Sequence, residues 1–584
     1  MKRISSPIDK LDAHYSVIVV GSGYGGAIAA SRLARTGQRV CVLERGREIL
    51  PGDYPETAAE AMSEMQFDCP RAFRGRQTGL YDFRVSADLS VLQGCGLGGT
   101  SLINAGVSLR PDPRVFQDPR WPKEIREAPC SGLEEYYLRA GEMLRPAPYP
   151  DGLPALPKLR ALEKTAQALG GVLVRPPVNV TFNAGLNSAG IEQAACTLCG
   201  DCVTGCNVGA KNTLLMNYLP DAKRHGAEIF TRVSVRRVEL AGSKWKIHYQ
   251  WLDSGWEVFG APLRMVTADL LILAAGCLGS TEILLRSKEQ GLHLSGRVGH
   301  NLTANGDFLG FAYNTPERVN GIGAGPRAPD EGGPAGPCIA GMVDLRDQPR
   351  LKDGVLIQEG VIPGPIANLL TGALAAATGC GPSGGPGGLG LAEALRAKLR
   401  VAESLACGTH RGAMRNTLTY LAMGHDDGEG RIVLKDGKPR IEWPGLGRQP
   451  VYRKLQERLA YAAKAQGGQP IRKPVAEIIL RSGLITVHPL GGCVMADNAS
   501  LGVVNHRGQV FSSIQGNSVY GNLYVMDGAV VPCSLGVNPL LTICALAERA
   551  AELVATSRGW EIDYRLAPEG VKKLSEPAIP SQDS

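Results

Sequence analysis

The chain has 584 residues, which is more than one compact core usually holds, so we expect two or more domains. Hydrophobic content of 44% and charged content of 20% are ordinary for a globular enzyme, and scattered basic residues with a net charge of +7 argue against nucleic acid as a partner. No signal peptide or bilayer-length apolar run is seen and the 15 cysteines are too dilute for a disulfide scaffold, so we expect a cytoplasmic protein.

The N-terminal region predicts a βαβ unit that binds a nucleotide. Residues 15–20 form an apolar strand pattern that runs into the glycine loop 21–26, followed by a helix from Ala27 to about Thr36. A second strand pattern, residues 39–43, ends at Glu44. The glycines permit a tight turn, close approach of a pyrophosphate and close helix–strand packing, while the acid can accept hydrogen bonds from a ribose diol. The elements in this order favour nucleotide binding over an ordinary strand–turn–helix.

A second glycine-rich segment, residues 93–107, contains five glycines. Such a segment lets the backbone lie flat against a ligand, and Thr100, Ser101 and Asn104 can supply hydrogen bonds to it. Alone, it is equally compatible with a structural glycine loop.

Four cysteines form a C-x2-C-x2-C-x3-C run at Cys196, Cys199, Cys202 and Cys206. This is the spacing by which bacterial ferredoxins hold an iron–sulfur cluster, except that Asn207 replaces the usual proline. The sequence leaves three alternatives open, namely an iron–sulfur cluster, a structural zinc ion bound by the four thiolates, and thiols that bind nothing.

Two later strand patterns extend the nucleotide domain. Residues 231–235 form one, and residues 269–276 form an apolar stretch followed by a helix to Leu285. We therefore expect this domain to be assembled from separated segments. Further on, Leu391, Leu395, Leu399 and Ala402 share one helical face. We expect this stripe to pack into a core, with peripheral contact at a membrane surface as the alternative.

The C-terminal region carries the pair that suggests catalysis. His488 opens the run His-Pro-Leu-Gly-Gly, and Asn538 lies in Gly-Val-Asn-Pro before an apolar helical pattern. Between them a strand pattern, residues 523–526, leads to Asp527 and Gly528. An imidazole can take a proton from an alcohol, and a carboxamide can hold the resulting oxygen. With a nucleotide fold at the other end of the chain, the pair predicts oxidation of C–OH groups.

Together these motifs resemble the glucose–methanol–choline (GMC) oxidoreductase family, and within it the bacterial cholesterol oxidase branch. The resemblance covers nearly the whole chain and is carried by residues 21–26, 96–104, 273–280, 488–492 and 536–539.

The resemblance implies FAD as the cofactor. The first glycine loop and Glu44 would hold the adenosine and pyrophosphate, Val235 would meet the adenine through its backbone, and the helix that begins near Pro539 would point its N-terminus at the flavin. The predicted cofactor-binding residues are Gly21, Ser22, Gly23, Tyr24, Gly25, Gly26, Glu44, Arg45, Gly98, Gly99, Thr100, Asn104, Val235, Ala275, Gly276, Asp527, Gly528, Asn538 and Pro539.

The resemblance also implies a bulky apolar alcohol, such as a sterol, as substrate and O2 or an electron carrier as acceptor. His488 and Asn538 would handle the hydroxyl group, and Glu359 would match the carboxylate that cholesterol oxidases place over the substrate ring. A glycine-rich insertion after Pro363 departs from that pattern, so a solvated or capping glutamate stays the alternative. The other function considered is an FAD and iron–sulfur dehydrogenase that oxidises a sugar or long-chain alcohol and passes electrons to a carrier.

The expected fold class is α/β, with a Rossmann-like FAD-binding domain and an α+β substrate-binding domain that has a mixed or antiparallel sheet. The expected boundaries are 12–110, 216–300 and 481–560 for the FAD-binding parts, 111–215 for a connecting segment with the cysteine run, 301–480 for the substrate-binding domain and 566–584 for a tail.

Overall fold

The computed structural model describes residues 1–70, 72–253, 260–325, 333–377, 391–471 and 483–566. The predicted tail therefore lies outside the described residues, except for its first residue. The strands, in chain order, are β1 (His14–Val20), β2 (Val40–Leu43), β3 (Met65–Asp68), β4 (Phe73–Gly75), β5 (Tyr81–Arg84), β6 (Leu89–Gly94), β7 (Val172–Val174), β8 (Gly185–Leu186), β9 (Glu192–Gln193), β10 (Glu228–Phe230), β11 (Val233–Ala241), β12 (Lys244–Trp251), β13 (Leu263–Leu273), β14 (Phe308–Tyr313), β15 (Met342–Leu345), β16 (Val355–Gly360), β17 (Leu418–Met423), β18 (Arg431–Lys435), β19 (Lys438–Glu442), β20 (Gln469–Pro470), β21 (Leu484–Thr486), β22 (Gln509–Phe511) and β23 (Val519–Val525).

The helices surround and separate these strands. In chain order they are α1 (Tyr24–Ala34), α2 (Ala58–Ser63), α3 (Lys123–Arg126), α4 (Glu134–Leu144), α5 (Pro157–Leu169), α6 (Tyr218–Arg224), α7 (Gly276–Glu289), α8 (Gly364–Ala377), α9 (Leu391–Cys407), α10 (Gly412–Arg415), α11 (Pro450–Ala465) and α12 (Leu540–Ser557).

The largest sheet is built from segments that lie far apart in the chain, as predicted. Its strand order is β10-β2-β1-β13-β12-β11, and β23 pairs with β13 and β22. The strands β10, β2, β1, β13 and β23 run parallel to their neighbours in this series, and β11, β12 and β13 form an antiparallel meander. Strands buried on both faces read as continuous apolar runs, which explains why β1, β2 and the buried end of β13, Leu270–Leu273, are recognisable from sequence.

The register of this sheet brings four strand ends to one edge. Val20 of β1 lies opposite both Leu43 and Leu273, and Leu273 lies opposite Val525. Ligands of open parallel sheets bind outside the carboxyl ends of the strands. The segments that begin at residues 21, 44, 274 and 526 therefore meet where a dinucleotide would bind.

A second sheet has the order β20-β14-β17-β16-β15-β7 and is antiparallel throughout its described pairs. This agrees with the predicted α+β part of the molecule. Helices α5 and α11 pack against this sheet. A smaller sheet has the order β21-β6-β5-β3-β4, and its strand β6 contacts residues 99–102 of the second glycine-rich segment.

Helices α1 and α12 pack against each other beside the large sheet. They are joined by a buried ion pair, in which Nε and Nη2 of Arg32 donate to the two carboxylate oxygens of Glu548 over 2.8 and 2.7 Å. The hydroxyl group of Tyr218 donates a third hydrogen bond to Glu548 over 2.6 Å. Helices α1 and α12, two of the helices that start at the proposed cofactor site, are thus fixed relative to each other.

The expectation that the apolar stripe of α9 packs into a core is wrong. Leu395 and Leu399 are 60% and 61% exposed, and Leu405 is 59% exposed. The helix is held instead through its opposite side, where Ala397 and Ser404 are buried. Among the described residues, no helix is long and apolar enough to cross a membrane.

Candidate active site

A cavity of about 720 Å³ lies between the large sheet and the antiparallel sheet. Its nucleotide end is lined by residues that follow β1 and β2, and its other end by side chains of β14, β17 and α8. A volume of this order is typical of cofactor and small-molecule sites. Most of the predicted cofactor-binding residues line this single cleft.

The first glycine loop shows three close approaches and one open position. A Cβ atom on Gly21 would lie 2.3 Å from the carbonyl oxygen of Ala274, one on Gly25 would lie 1.5 Å from that of Met526, and one on Gly26 would lie 2.1 Å from that of Gly21. A Cβ atom on Gly23, in contrast, would meet nothing within 4 Å. The backbone at Gly23 thus borders open space in the cleft, as the approach of a pyrophosphate requires.

Three helices begin at this cleft without a side-chain cap. The N-caps of α1, α7 and α12 are Gly23, Ala275 and Pro539, and each lacks a side-chain cap hydrogen bond and an acidic residue in the first turn. All three N-caps line the cleft. At α7 the N–H of Gly276 already donates to the carboxylate of Asp527. The N-termini and dipoles of α1 and α12 favour a negatively charged ligand, which fits the pyrophosphate and the reduced flavin of FAD.

Glu44 is held in place by hydrogen bonds from the first glycine loop. Its carboxylate accepts hydrogen bonds from the backbone N–H and hydroxyl group of Ser22 over 3.0 and 2.6 Å, and from the N–H of Gly46 over 2.7 Å. The Ser22 hydroxyl oxygen also accepts from the N–H of Gly98 over 2.9 Å. Ser22 therefore links the two glycine-rich segments, and Gly98 contributes to this link without lining the cleft.

Asn104, one of the predicted cofactor-binding residues, carries an unsatisfied polar atom. Nδ2 of Asn104 donates to the hydroxyl oxygen of Tyr24 over 2.7 Å, while the Oδ1 atom of Asn104 is buried without a hydrogen-bond partner. Both residues line the cleft. A buried polar atom that borders a cavity and lacks a partner is what a missing polar ligand leaves behind. Together with the open Gly23 position, this shows that the residues present fit an FAD molecule.

Asp527 organises the far side of the nucleotide edge. Its carboxylate accepts from the N–H of Gly276 over 2.9 Å, the hydroxyl group of Ser280 over 2.5 Å and the N–H of Ala529 over 2.8 Å. Burial raises the pKa of Asp527 to about 6 against these hydrogen bonds. Asp527 thereby joins the start of α7 to the end of β23.

His488 is oriented by the carboxylate of Asp307, which belongs to none of the sequence motifs. The Nδ1 atom of His488 lies 2.8 Å from Oδ1 of Asp307, and Oδ2 of Asp307 accepts hydrogen bonds from the backbone N–H of His488 and the hydroxyl group of Thr486. Asp307 is 2% exposed and the His488 side chain 13% exposed. A carboxylate at Nδ1 favours the tautomer in which Nδ1 carries the proton, so Nε2 can accept a proton in the cleft that His488 lines.

The turn that contains Asp307 also fixes the segment that carries Asn538. Nδ2 of Asn305 donates to the carbonyl oxygen of Val537 over 2.8 Å, and its Oδ1 atom accepts from the N–H groups of Leu535 and Gly536 over 2.8 and 3.1 Å. Two residues of one turn, Asn305 and Asp307, thus hold the loop before Asn538 and the imidazole of His488.

Asn538 is oriented in turn by Gln358. Nε2 of Gln358 donates to Oδ1 of Asn538 over 2.6 Å, and both side chains are buried. With Oδ1 engaged, the Nδ2 atom of Asn538 is the group available to donate a hydrogen bond into the cleft. Leu421, the cross-strand neighbour of Gln358, lines the same cavity.

Glu359 lies on the other face of β16 and does not line the cleft. Its Oε1 atom accepts from the N–H groups of Ala340 and Gly341 over 2.6 and 3.0 Å, and its Oε2 atom lies 3.0 Å from Nζ of Lys158 on α5. Burial raises the pKa of Glu359 while Lys158 opposes the shift. Successive strand residues point to opposite faces, so Gln358 and Glu359 cannot both reach the cavity. The geometry therefore separates Glu359 from the pair formed by His488 and Asn538.

The cysteine run forms a group of neighbouring thiols without metal geometry. Burial is the main cause of the raised pKa of both Cys196 and Cys199, and electrostatic repulsion from the nearby thiol group of Cys202 adds to it. Cys202 accepts a hydrogen bond from the N–H of Cys338 over 3.4 Å, and all four cysteines of the run are free. Across the described segments of the chain, no group of three or more His, Cys, Asp or Glu side chains could hold a metal ion. Neither the iron–sulfur nor the zinc prediction is supported.

The end of the cleft near His488 is apolar. Its walls come from β14, β17, α8, the last residue of β16 and the segments that follow β16, precede β15 and follow β21. The apolar side chains that line it are Leu309, Phe311, Ile339, Val361, Ile362, Ile366, Leu370, Leu421 and Val487. A cavity with this lining excludes water and suits an apolar substrate.

Most of the residues predicted from sequence to bind the cofactor line the cleft, whereas the side chains that support it carry no sequence signal of this kind. Beyond Gly26 and Gly98, which pack or bond behind the loop, every predicted cofactor-binding residue lines the cavity, as do His488 and Asn538. Asp307, Asn305 and Gln358 were missed. The run Asn305-Gly306-Asp307 is the one signal that could have drawn attention, because Asn and Gly favour a left-handed turn and Asn305 has φ of 57°.

The amino-acid sequence of this chain is similar to that of proteins of one known family. Models described as GMC oxidoreductase match residues 18–305 and 446–547. The chain is 27% identical to a cholesterol oxidase of Mycobacterium tuberculosis over 92% of this chain and 91% of that protein. It is 26% identical to a cholesterol oxidase of Acinetobacter baumannii over 92% and 94%. It is 24% identical to a long-chain-alcohol oxidase of Arabidopsis thaliana over 91% and 66%.

Solved structures show the same fold at lower identity. Pyridoxine 4-oxidase from Mesorbium loti superposes with a TM-score of 0.57 at 18% identity, over 93% of this chain and 99% of that one. A fungal aryl-alcohol oxidase superposes with a TM-score of 0.56 at 15% identity, over 94% and 100%. The chain belongs to the GMC oxidoreductase family and is an FAD-dependent alcohol oxidoreductase.

Proposed function

We propose that this protein oxidises the C–OH group of a bulky apolar alcohol, sterol-like in size and polarity. The observation that carries the proposal is the apolar lining of a cleft that the polar pair His488 and Asn538 also lines. An alcohol with one hydroxyl group on a large hydrocarbon body would place that group at the pair and its body among the apolar side chains. The similarity to a cholesterol oxidase and to a long-chain-alcohol oxidase supports the same substrate class.

In the proposed reaction His488 and Asn538 have different roles at the substrate hydroxyl group. FAD, when bound, supplies the hydride acceptor at its N5 atom. Nε2 of His488 takes the hydroxyl proton, and Asp307 stabilises the imidazolium that results. Nδ2 of Asn538 donates a hydrogen bond to the substrate oxygen, and Gln358 holds that carboxamide in place. The apolar walls keep water away from this point.

We further propose that the product leaves as the simple carbonyl compound, without movement of a double bond. Such an isomerisation needs a base over the carbon skeleton of the substrate. Among the described residues, the carboxylates that line the cleft are Glu44, Asp68, Glu282 and Asp527, and none of these belongs to the strands or helix of the apolar end. Glu359, the predicted base, is engaged by Lys158 behind the sheet.

We propose O2 as the electron acceptor, because the named relatives are oxidases. The alternative acceptor is an electron carrier, which an iron–sulfur cluster bound by the cysteine run would favour. The thiol geometry of the described residues gives that alternative no support.

A membrane surface is the proposed source of the substrate. Helix α8 contains no charged residue, and Ile366 and Leu370 on it line the cleft while Leu369 is 47% exposed. The neighbouring helix α9 exposes Leu395 and Leu399 beside Arg396 and Lys398. Exposed leucines flanked by basic side chains suit the interface of a bilayer with anionic lipids.

The substrate proposal is tested by steady-state assays with cholesterol, a long-chain primary alcohol, an aryl alcohol and glucose, with peroxide and product identity both measured. We expect turnover with the first two classes, equimolar peroxide and an unisomerised ketone from the sterol. Turnover of glucose without turnover of any apolar alcohol would contradict the substrate class. Product without peroxide would contradict O2 as acceptor and leave the substrate class standing.

A further inference from the structure

Arg236 occupies an irregular position at the nucleotide end of the cleft. The pairing of β11 with β12 runs from Val235 opposite Tyr249 to Arg237 opposite His248, so Arg236 is the extra residue of a β-bulge. Bulges redirect a side chain at the point where they occur and are common beside functional sites. Here the redirected side chain lines the cleft, directly after Ser234 and Val235, which line it too.

The guanidinium group of Arg236 has no hydrogen-bond or ion-pair partner among the described residues. Three other arginines line the same end, and each of them has a carboxylate. Arg45 donates to Asp82 over 2.5 Å, Arg84 to Asp68 over 2.9 Å and Arg286 pairs with Glu282 at 2.5 Å. Burial and the positive charges of Arg286, Arg45 and Arg84 lower the pKa of Arg236 to about 10, although Glu282 opposes the shift.

An arginine that is partly buried, crowded by like charges and without a partner calls for a ligand in the loaded protein. The pyrophosphate is accounted for by residues 21–26 and the N-terminus of α1. The group that remains for this end is the adenine, a neutral aromatic ring with several acceptor nitrogens. A planar guanidinium stacks on such a ring and is more weakly hydrated than an ammonium group, which makes its burial there less costly.

We propose that Arg236 lies against the adenine ring of FAD and anchors the adenosine half of the cofactor. The inference rests on the family cofactor and on this bulge, and it does not depend on which alcohol is oxidised. It makes Arg236 a determinant of cofactor affinity and of the preference for a dinucleotide over a mononucleotide flavin.

The test measures flavin affinity of the wild type, Arg236→Ala and Arg236→Lys, from the fluorescence released when each holoenzyme is diluted. Arg237→Ala is the matched control, because that neighbouring arginine pairs with Glu239 at 3.4 Å and does not line the cleft. We expect FAD to bind about tenfold more weakly to Arg236→Ala, and also more weakly to Arg236→Lys, since lysine keeps the charge but cannot stack. The Arg237→Ala variant should bind FAD as the wild type does.

A second measurement uses apoprotein titrated with FMN, which lacks the adenosine half. The affinity for FMN should be the same in wild type and variants. Unchanged FAD affinity in Arg236→Ala would overturn the proposal, and so would an equal loss of FMN and FAD affinity, which would indicate general damage to the site. Full FAD affinity in Arg236→Lys would overturn stacking as the mode of contact.

Discussion

The Nδ1 atom of His488 lies 2.8 Å from the carboxylate of Asp307, and that carboxylate also accepts the backbone N–H of His488. One buried group thus sets both the position of the residue and the tautomer of its ring. In catalytic pairs of this kind the carboxylate orients the histidine base. Loss of the carboxylate leaves the imidazole in the wrong orientation or tautomer.

Asp307→Asn should lower the rate of flavin reduction by alcohol about 100-fold or more, because an amide no longer enforces the proton on Nδ1 or stabilises the imidazolium. Stopped-flow reduction at saturating alcohol measures this rate. Asp427→Asn is the control, since Asp427 is exposed in the same part of the fold. A reduction rate within threefold of wild type in Asp307→Asn would remove Asp307 from the mechanism.

Substitutions of the adjacent residues Gln358 and Glu359 of β16 should affect different properties, the rate of flavin reduction and the thermal stability. Gln358→Leu frees the carboxamide of Asn538 and should slow flavin reduction by roughly tenfold, the value of one hydrogen bond of about 1.4 kcal/mol. Glu359→Gln should leave that rate close to wild type while lowering the melting temperature, because Lys158 would be left buried without its counter-charge. Loss of the chemical step in Glu359→Gln, with the fold intact, would restore Glu359 as a catalytic residue.

The ion pair between α1 and α12 should dominate the stability of the nucleotide edge. Glu548→Gln leaves Arg32 buried without a charge partner and should cost about 3–5 kcal/mol of unfolding free energy. Chemical denaturation of the FAD-loaded protein measures this. Glu134→Gln, which removes an exposed pair with Arg110, should change stability by less than about 1 kcal/mol. Equal effects in the two variants would show that the buried pair does not hold the helices.

The pH dependence of stability should carry the signature of His425. Burial lowers the pKa of His425 to about 4, below the value of about 6.5 in an unfolded chain. The unfolded state therefore takes up a proton first as the pH falls, and stability is lost between about pH 6.5 and pH 4. This one group contributes up to about 3 kcal/mol to the loss.

His425→Gln should flatten that part of the stability profile, measured by denaturation at several pH values. The ring of His425 lies against Gly536, where a Cβ atom would come within 2.6 Å of Nε2, so acid should also loosen the segment before Asn538. Identical slopes for wild type and His425→Gln between pH 4 and 6.5 would contradict this assignment.

The exposed leucines of α9 should govern contact with a membrane. Leu395→Ser with Leu399→Ser should weaken cosedimentation with vesicles that contain anionic lipid about tenfold or more, because it removes two exposed apolar side chains. Leu501→Ser is the control, since Leu501 is 57% exposed outside α8 and α9. Equal binding of all three proteins would rule out this face as the membrane contact.

The sequence predicted the nucleotide edge well for a physical reason. Strands buried on both faces and glycines at close approaches leave local patterns, as at β1, Gly21 and Gly26. The supporting contacts leave no such pattern, because Asp307 reaches His488 over 181 residues and Gln358 reaches Asn538 over 180. Only the pairing of distant segments in the fold brings them together.

Two sequence predictions depended on which side an element faces, and the local pattern did not specify that side. Glu359 and Gln358 are neighbours in a fully buried strand, and a one-residue difference decides which of them faces the cleft. The stripe on α9 has the spacing of a core-facing helix, but a helical period does not tell whether a partner covers it. In this protein Leu395 and Leu399 face solvent.

The most direct test of the proposed chemistry is anaerobic reduction of the bound flavin, followed by its visible spectrum, with an apolar alcohol and with glucose. The proposed site predicts that cholesterol or a long-chain alcohol bleaches the flavin of the wild type and that His488→Ala, with FAD still bound, is bleached slower by orders of magnitude. Bleaching of His488→Ala at the wild-type rate, or bleaching of the wild type by glucose alone, would contradict it.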